Sequence, residues 1–572
     1  MEKFSEIKYT RPDYATLKKE AKLAIKALKE AKSYDEFKDV YLGLNSKMYE
    51  TMTMATIASV RNTINMQDEF YEKEEKYNNS QSATLSLTLK KVMQTVLASP
   101  FRKDIDAEFG SLLLKSTEMQ LKLISFKVIF KMIKESNLGN EYSKTVATCK
   151  TNFNGEDCNF YGLLKHMENP DREIRKQAFL AWAKMYEEVS PKLDELYDKL
   201  VALRVKTAKA LGFKDYIEYV YLARGRFDYN AADVEKFREQ VKKEVVPLCA
   251  ELFEKQRIRL GLEHLEMYDE ALVFPKGNAT PIGTTEELVE KARAMYHELS
   301  PETGEFFDFM VSYQLFDLET RPGKHMGGYC TFLPLYKAPF IFSNFNGTSA
   351  DVDVLTHEAG HAFEAYLASR ELPLLELVHS TSEINEIHSM SMEQFTYPWM
   401  DKFFGDATNE YRYAHLCGTM TTIPYLCAVD EFQHKVFENP KMTALERRAT
   451  WHQIEKDYMP WRSYDGNKFL GEGGFWMQKQ HIFLYPFYYV DYALAQVCAS
   501  QFFIKSLENH EAAWEGYLSL CKMGGKYGYF ETLEKAGLNN PFKEGTVKNV
   551  VDKIRTVIQE FENQLPKEGD SK

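Results

Sequence analysis

Residues His357-Glu358-Ala359-Gly360-His361 spell HExxH. On a helix, positions i and i+4 lie one turn apart on the same face, so both imidazoles can reach one Zn²⁺. Glu358 stands beside them, placed to take a proton from a water that the metal activates rather than to bind the metal. The chemistry such a set supports is attack of water on a carbonyl. Val354, Leu355, Ala362, Ala365 and Tyr366 supply the apolar flanks of a partly buried helix. Two surface histidines among ordinary helix formers would give the same five letters, so the motif needs a third ligand to carry weight.

A catalytic zinc takes three protein ligands and leaves the fourth position open. Downstream lies HSTSEINEIHSMSMEQFTYP, His379–Pro398. Ser380 and Glu383 read as a capping box that opens a helix there. Glu386 and Glu393, seven residues apart, share one face of it. Glu386 can turn inward as the third ligand, and Glu393 can support the site from further along. Spacing alone leaves Glu383, His379 and His388 open as ligands. His388 also reads as a substrate contact or a buried histidine, and Glu364 as a solvated or supporting group.

A second constellation is QHIFLYPFYYVDYA, Gln480–Ala493. Tyr485, Tyr489 and Tyr492 are spaced i, i+4 and i+7, one helical face, with His481 a turn earlier. A phenol can donate to the oxyanion that develops when water attacks a peptide carbonyl. An aromatic packing stripe has the same spacing. Gly471, Gly473 and Gly474 would let the segment move. Gly327-Gly328-Tyr329-Cys330 reads as strand, and an edge strand can pair with an extended peptide through its backbone. A plain structural hairpin fits equally, and Cys330 lacks an adjacent base that would make it a nucleophile.

The elements that must position these groups are mainly helical. Tyr14–Lys32 sets Leu17, Ala21, Leu23, Ala24, Ile25 and Leu28 along one broad side. Similar patterns recur near 83–98, 107–136, 171–189, 192–211 and 231–260, without a fixed repeat. FPKGNATPIGTT, Phe274–Thr285, is a break inside a lobe, and Thr284 with Glu287 forms a capping box for the next helix. From 326 to 345 the pattern shifts to two short strands ending at Asn346-Gly347. The closing LPKEGDSK reads as a frayed tail. The expected fold is mainly α with one small sheet near the HExxH helix. Its expected division is an N-terminal helical lobe, 1–195, and a catalytic region, 196–572.

Composition narrows the function further. The chain has 572 residues, a net charge of −12 and 14% aromatics. The acidic total argues against nucleic acid or anionic lipid as a partner. Eight cysteines without a CxxC pair suggest neither a zinc ribbon nor a redox pair. No signal-peptide core and no apolar run long enough for a span stands out, so a cytoplasmic setting away from membranes is expected.

HEAGH, then Glu386-Ile387-His388-Ser389, then His481, Tyr485, Tyr489 and Tyr492 resemble the thimet oligopeptidase and oligoendopeptidase F family of zinc metallopeptidases. The 29 residues from His357 to Glu386 resemble that family's interval to its third ligand. FSNFNGT, the Gly-Gly-Tyr-Cys strand and MGGKYGYFETLEKAGLNNPF are similar to the oligoendopeptidase F branch and to bacterial Pz-peptidases within it. The likeness covers about residues 200–565 clearly and the N-terminal lobe loosely. It implies a two-lobed helical body with a deep channel that admits unstructured oligopeptides. It also implies one zinc per chain on His357, His361 and Glu386, with Glu358 as base. Oxyanion donors would be Tyr485 and Tyr492 with His481, and Gly327, Gly328, Tyr329, His388 and Tyr489 would contact substrate. The interval from His481 to the first tyrosine is one residue shorter than in thimet oligopeptidase. Rival readings are a zinc carboxypeptidase or dipeptidase on a similar scaffold, and a non-catalytic peptide-binding protein, which the intact motif disfavours.

Overall fold

The computed structural model describes residues 1–566. Most of the tail expected to fray, from residue 567 on, lies outside the described residues. Helices dominate, and among the described residues strands are confined to a hairpin and one three-stranded sheet. The chain forms two compact units, each assembled from three stretches. One comprises Met1–Leu123, Thr280–Thr408 and Ala499–Leu538. The other comprises Ile124–Ala279, Asn409–Cys498 and the chain from Asn539 onward. Compactness therefore does not follow one cut near residue 195. The Phe274–Thr285 segment, expected within a lobe, contains the point where the chain passes from one unit to the other. Its capping box is present, with Thr284 and Glu287 satisfying each other's backbone N–H groups.

In the first unit, the helix Tyr14–Glu30 buries Tyr14, Leu17, Ala21, Ala24 and Leu28. Leu23, expected on that side, is 63% exposed, because the buried stripe is narrower than the apolar set. The stripe packs into a core with Phe37 and Leu44 of helix Tyr34–Ile64, Leu85 and Val92 of helix Glu69–Leu97, and Leu374 and Leu377. The three-stranded sheet of this unit runs β3 (Phe316–Glu319), β5 (Ala338–Phe345), β4 (Tyr329–Leu333). β4 and β5 are the two strands read from the sequence, paired antiparallel with Tyr329 opposite Phe342. The third, β3, runs parallel to β5 and was hidden by its short FDLE run. β5 is buried along most of its length, as a central strand of continuous apolar residues should be.

In the second unit the two expected helices around 171–189 and 192–211 are one, Arg172–Ala210, with Pro191 inside. Proline removes one backbone hydrogen bond, yet buried side chains on both sides, Ala183 and Tyr186 before and Leu193 and Tyr197 after, hold the helix through it. A hairpin absent from the sequence reading, β1 (Thr151–Phe153) and β2 (Glu156–Cys158), precedes this helix. No helix among the described residues is long and apolar enough to cross a membrane.

Candidate metal centre and catalytic site

β5 leads through Asn346-Gly347 directly into the HExxH helix, Ala350–Glu371. The Asp351 carboxylate fastens that corner by accepting the N–H groups of Asn346 at 2.9 Å and Gly347 at 2.7 Å. The helix is buried almost all round, with Val352, Leu355, Ala359, Ala362 and Phe363 fully enclosed. Its half-open positions before Arg370 are Asp353, Val354, His357 and His361. That is a stripe at i+4 spacing, so the one face not committed to packing carries both imidazoles.

The helix Ser382–Phe395 lies against this one at backbone distance. A Cβ on Gly360 would fall 2.6 Å from Ser389 Cα and 2.7 Å from the His388 carbonyl oxygen. Glycine at the fourth place of HEAGH is thus what lets the two helices touch. The approach puts Glu386 Oε2 3.4 Å from His357 Nε2 and 3.5 Å from His361 Nε2. One donor atom from each of the three residues lies within 4.8 Å of the others. Ser389 Oγ donates to Glu386 Oε2 at 3.1 Å and steadies it. On the far side of the His357 ring, Nδ1 lies 2.5 Å from Glu393 Oε1.

Charge favours a cation among these groups. Burial alone would lower the His357 pKa, but hydrogen bonds to Glu386 and Glu393 hold it well above the usual imidazole range. Burial alone would raise Glu386, and hydrogen bonds from His357 and His361 hold it well below the carboxylate range. Positive charge at this point is stabilised, which a divalent ion supplies as a proton does. Two imidazoles and a carboxylate are the donor set of a catalytic zinc with one open position.

Glu358 is nearly buried, and its burial raises the carboxyl pKa against the pull of His361 and His357. Such a shift moves a carboxylate towards the range where it can both take and return a proton. Gly328, just before β4, adjoins it: a Cβ there would stand 3.7 Å from Glu358 Oε1. Gly327 has φ +90°, a turn conformation suited to glycine. Strand structure begins only at Tyr329, whose hydroxyl hydrogen-bonds Thr63 at 2.6 Å and whose ring stacks on Phe342. The Cys330 thiol is pushed well up by burial and by the charge of Glu358, which suits a plain thiol.

The other ligands left open by spacing are placed elsewhere. His379 Nδ1 faces Glu364 Oε2 at 3.3 Å. Glu383 is 1% exposed in the first turn of its helix, and the expected Ser380–Glu383 capping box is not formed. Thr381 is the N-cap residue, and the Asn385 side chain accepts from the Ser380 N–H instead. His388 is fully enclosed, with burial pushing its pKa down to about 3. No part of its side chain reaches solvent. Its carbonyl accepts from Tyr517 Oη at 2.8 Å, anchoring the helix.

A family model described as Peptidase family M3 matches residues 165–551, and one described as Peptidase M3 N-terminal domain matches residues 4–124. The chain belongs to peptidase family M3. Among solved structures, Pz peptidase A with an inhibitor aligns at 43% identity and TM-score 0.93, over 98% of this chain and 100% of that one. A Bacillus anthracis protein provisionally assigned as oligoendopeptidase F aligns at 39% identity and TM-score 0.89, over 99% of this chain and 100% of that one. An oligoendopeptidase F homolog of Borreliella burgdorferi is 23% identical over 414 residues, 69% of this chain. The chain spans just under two thirds, 66%, of that relative's length. M3 membership makes the chain a metallopeptidase, as the HExxH reading expected.

The tyrosine segment belongs to the second unit of this M3 chain. The expected single helical face is interrupted: one short helix spans Gln480–Leu484 and the next starts at Tyr489. Phe487 at the break has φ +63°. Its N–H donates to Gln433 Oε1 at 2.9 Å and its carbonyl accepts from buried Arg226, which also pairs with Asp491 at 2.6 Å. Tyr485 is 56% exposed, Tyr492 half-buried, and Tyr489 buried against His481 and Tyr425. Sequence reasoning missed Tyr488, stacked on His481, and Lys479, which lies over the rings of Tyr425 and Tyr489 and is pushed down to about 8 by burial. Of the three glycines expected to confer mobility, Gly473 and Gly474 stand at close-packed positions. A Cβ on Gly473 would collide with the Arg448 carbonyl and one on Gly474 with Phe469, while Gly471 is uncrowded.

Proposed function

We propose that this M3 chain is a zinc-dependent endopeptidase that cuts internal bonds of short, unstructured oligopeptides in the cytoplasm. The observation that carries the reading is the meeting of His357, His361 and Glu386 within 4.8 Å, with Glu358 one residue from the first ligand. These three residues would hold one zinc per chain. Zinc bound there would polarise the scissile carbonyl and make the attacking water more acidic.

The protein's own groups do the rest. Glu358 takes the proton of the attacking water and hands it to the leaving amine. Glu393 accepts from His357 Nδ1, which leaves the Nε2 lone pair free for the metal. Among the described residues β4 has a strand on one side only, so an extended substrate can pair along its outer edge through backbone groups, with Gly327 and Gly328 leaving room beside Glu358. Tyr329 would take part through its backbone, since its side chain is engaged with Thr63 and Phe342. By family resemblance, Tyr485 and Tyr492, with His481, supply oxyanion donors.

The test is cleavage of a fluorogenic peptide blocked at both ends, before and after chelation and zinc re-addition. Internal cleavage that stops with chelator and returns with zinc is the expected result. Failure on blocked peptides combined with trimming of free-ended ones would replace the endopeptidase by an end-trimming enzyme.

A further inference from the structure

A second cluster of metal-binding side chains lies in the other compact unit. We propose that Glu156, Cys158 and His166 form a second divalent-cation site, fitted to Zn²⁺ or a similar thiophilic first-row ion. One donor atom from each lies within 4.8 Å of the other two.

Local structure dictates the meeting. The β1–β2 hairpin turns on Asn154-Gly155, both at positive φ (52° and 87°), the turn geometry that matches strand twist. The register pairs Phe153 with Glu156 and Thr151 with Cys158, so no slippage is open to it. Two residues apart on β2, Glu156 and Cys158 point to the same face. Asp157, on the opposite face, pairs with Lys150 at 2.9 Å. Asn159 then caps the helix Phe160–His166 by accepting from the Gly162 N–H at 2.9 Å. That helix folds back over the cysteine: a Cβ on Gly162 would lie 3.5 Å from Cys158 Sγ. His166, its last residue, packs its ring 4.9 Å from Phe153 on β1. Phe160 stacks on Tyr186 at 3.9 Å and fixes the helix to Arg172–Ala210.

The donor chemistry selects the ion. Thiolate, imidazole and carboxylate suit zinc and cobalt, whereas calcium and magnesium want oxygen throughout. A thiolate and a carboxylate together neutralise a divalent charge. Cys158 is buried and Glu156 exposed, so the ion would enter and keep a water on the glutamate side. Binding releases the thiol proton and therefore strengthens as pH rises. The bound ion would clamp hairpin and helix together.

The test uses the full chain with its catalytic metal in place, titrated with Co²⁺ alone. The ligands proposed for catalysis contain no sulfur, so a thiolate-to-cobalt charge-transfer band that depends on Cys158 reports on this second site. The expected result is a second molar equivalent of metal by elemental analysis, with that band. Both are lost in Cys158→Ser and His166→Ala, and the exposed Glu156→Gln, which disturbs no packing, weakens them. A wild-type protein that stops at one equivalent, or a band that survives Cys158→Ser, overturns the proposal.

Discussion

His357 is gripped through both ring nitrogens by one helix: Glu386 Oε2 stands 3.4 Å from Nε2 and Glu393 Oε1 stands 2.5 Å from Nδ1. The two glutamates are separated by about two turns of the Ser382–Phe395 helix, so a single rigid element sets both the proposed third ligand and the orientation of the first. An imidazole held this way has one tautomer available for metal binding.

Removing the outer contact should therefore loosen the metal without removing a ligand. Glu393→Gln is expected to weaken zinc binding by about 10–100-fold, as loss of such supporting partners does elsewhere. Competition against a chelator of known affinity reads this out. An unchanged affinity would mean that packing alone orients the ring.

Glu358→Gln keeps the three proposed ligands and a similar shape but cannot accept a proton. Zinc content is expected to stay at the wild-type level while kcat falls by about 10²–10⁴-fold. Hydrolysis close to wild type with full zinc would remove Glu358 from the base role.

Much of this arrangement was legible from spacing. HExxH fixes two side chains on one face whatever the fold, and the interval from Glu386 to Glu393 places both on one side of the next helix. β4, β5 and the Thr284–Glu287 box followed from alternation and capping chemistry. What failed depended on tertiary partners. Ser380 is a good cap by type, but the Asn385 side chain takes the Ser380 N–H that Glu383 would accept in a capping box. The tyrosine spacing fits a helix, yet Pro486 keeps Tyr485 out of helical geometry, and Phe487 beyond it is left-handed with its carbonyl held by Arg226. Pro191 looks like a stop and is overridden by packing on both sides. His388 reads equally as a substrate contact or a buried histidine, and only the three-dimensional contacts show it enclosed. Ser389 carried a signal in its i, i+3 relation to Glu386 that went unused.

Gly360→Ala tests whether helix contact sets the site. The added methyl group would meet backbone atoms of Ser389 and His388 at 2.6–2.7 Å, which cannot rotate away. Overpacking of this kind costs about 1–3 kcal/mol, against about 1 kcal/mol regained from helix propensity. A lower melting temperature is expected, together with weaker zinc binding because Glu386 moves with its helix. A variant with wild-type Tm and zinc affinity would show that the contact yields freely.

Enclosure of His388 predicts acid sensitivity. Burial, aided by nearby His361, pushes its pKa down to about 3, whereas a free imidazole titrates near about 6.5. Between those values the unfolded chain binds the extra proton, so stability rises with pH. The contribution is complete above about 6.5 and erodes as pH falls towards about 3. In metal-stripped protein, His388→Leu is expected to flatten the fall of Tm with acidification relative to wild type. Parallel curves would show that the imidazole takes up its proton without unfolding.

The tyrosines can be separated by their surroundings. Tyr485 is exposed and Tyr492 half-buried, while Tyr489 is buried with its ring against His481, Tyr425 and Tyr492. A hydroxyl that donates to a developing oxyanion acts in the transition state, so its loss lowers kcat with little change in KM. Tyr485→Phe or Tyr492→Phe, if either is such a donor as the family resemblance implies, is expected to cost about 10²–10³-fold in kcat. Tyr489→Phe retains the ring that packs and is expected to leave kcat within about threefold, since no transition-state contact is removed. Steady-state kinetics on one blocked peptide compares all three. A large loss confined to Tyr489→Phe would reverse the assignment, making the buried ring the donor and the exposed ones surface groups.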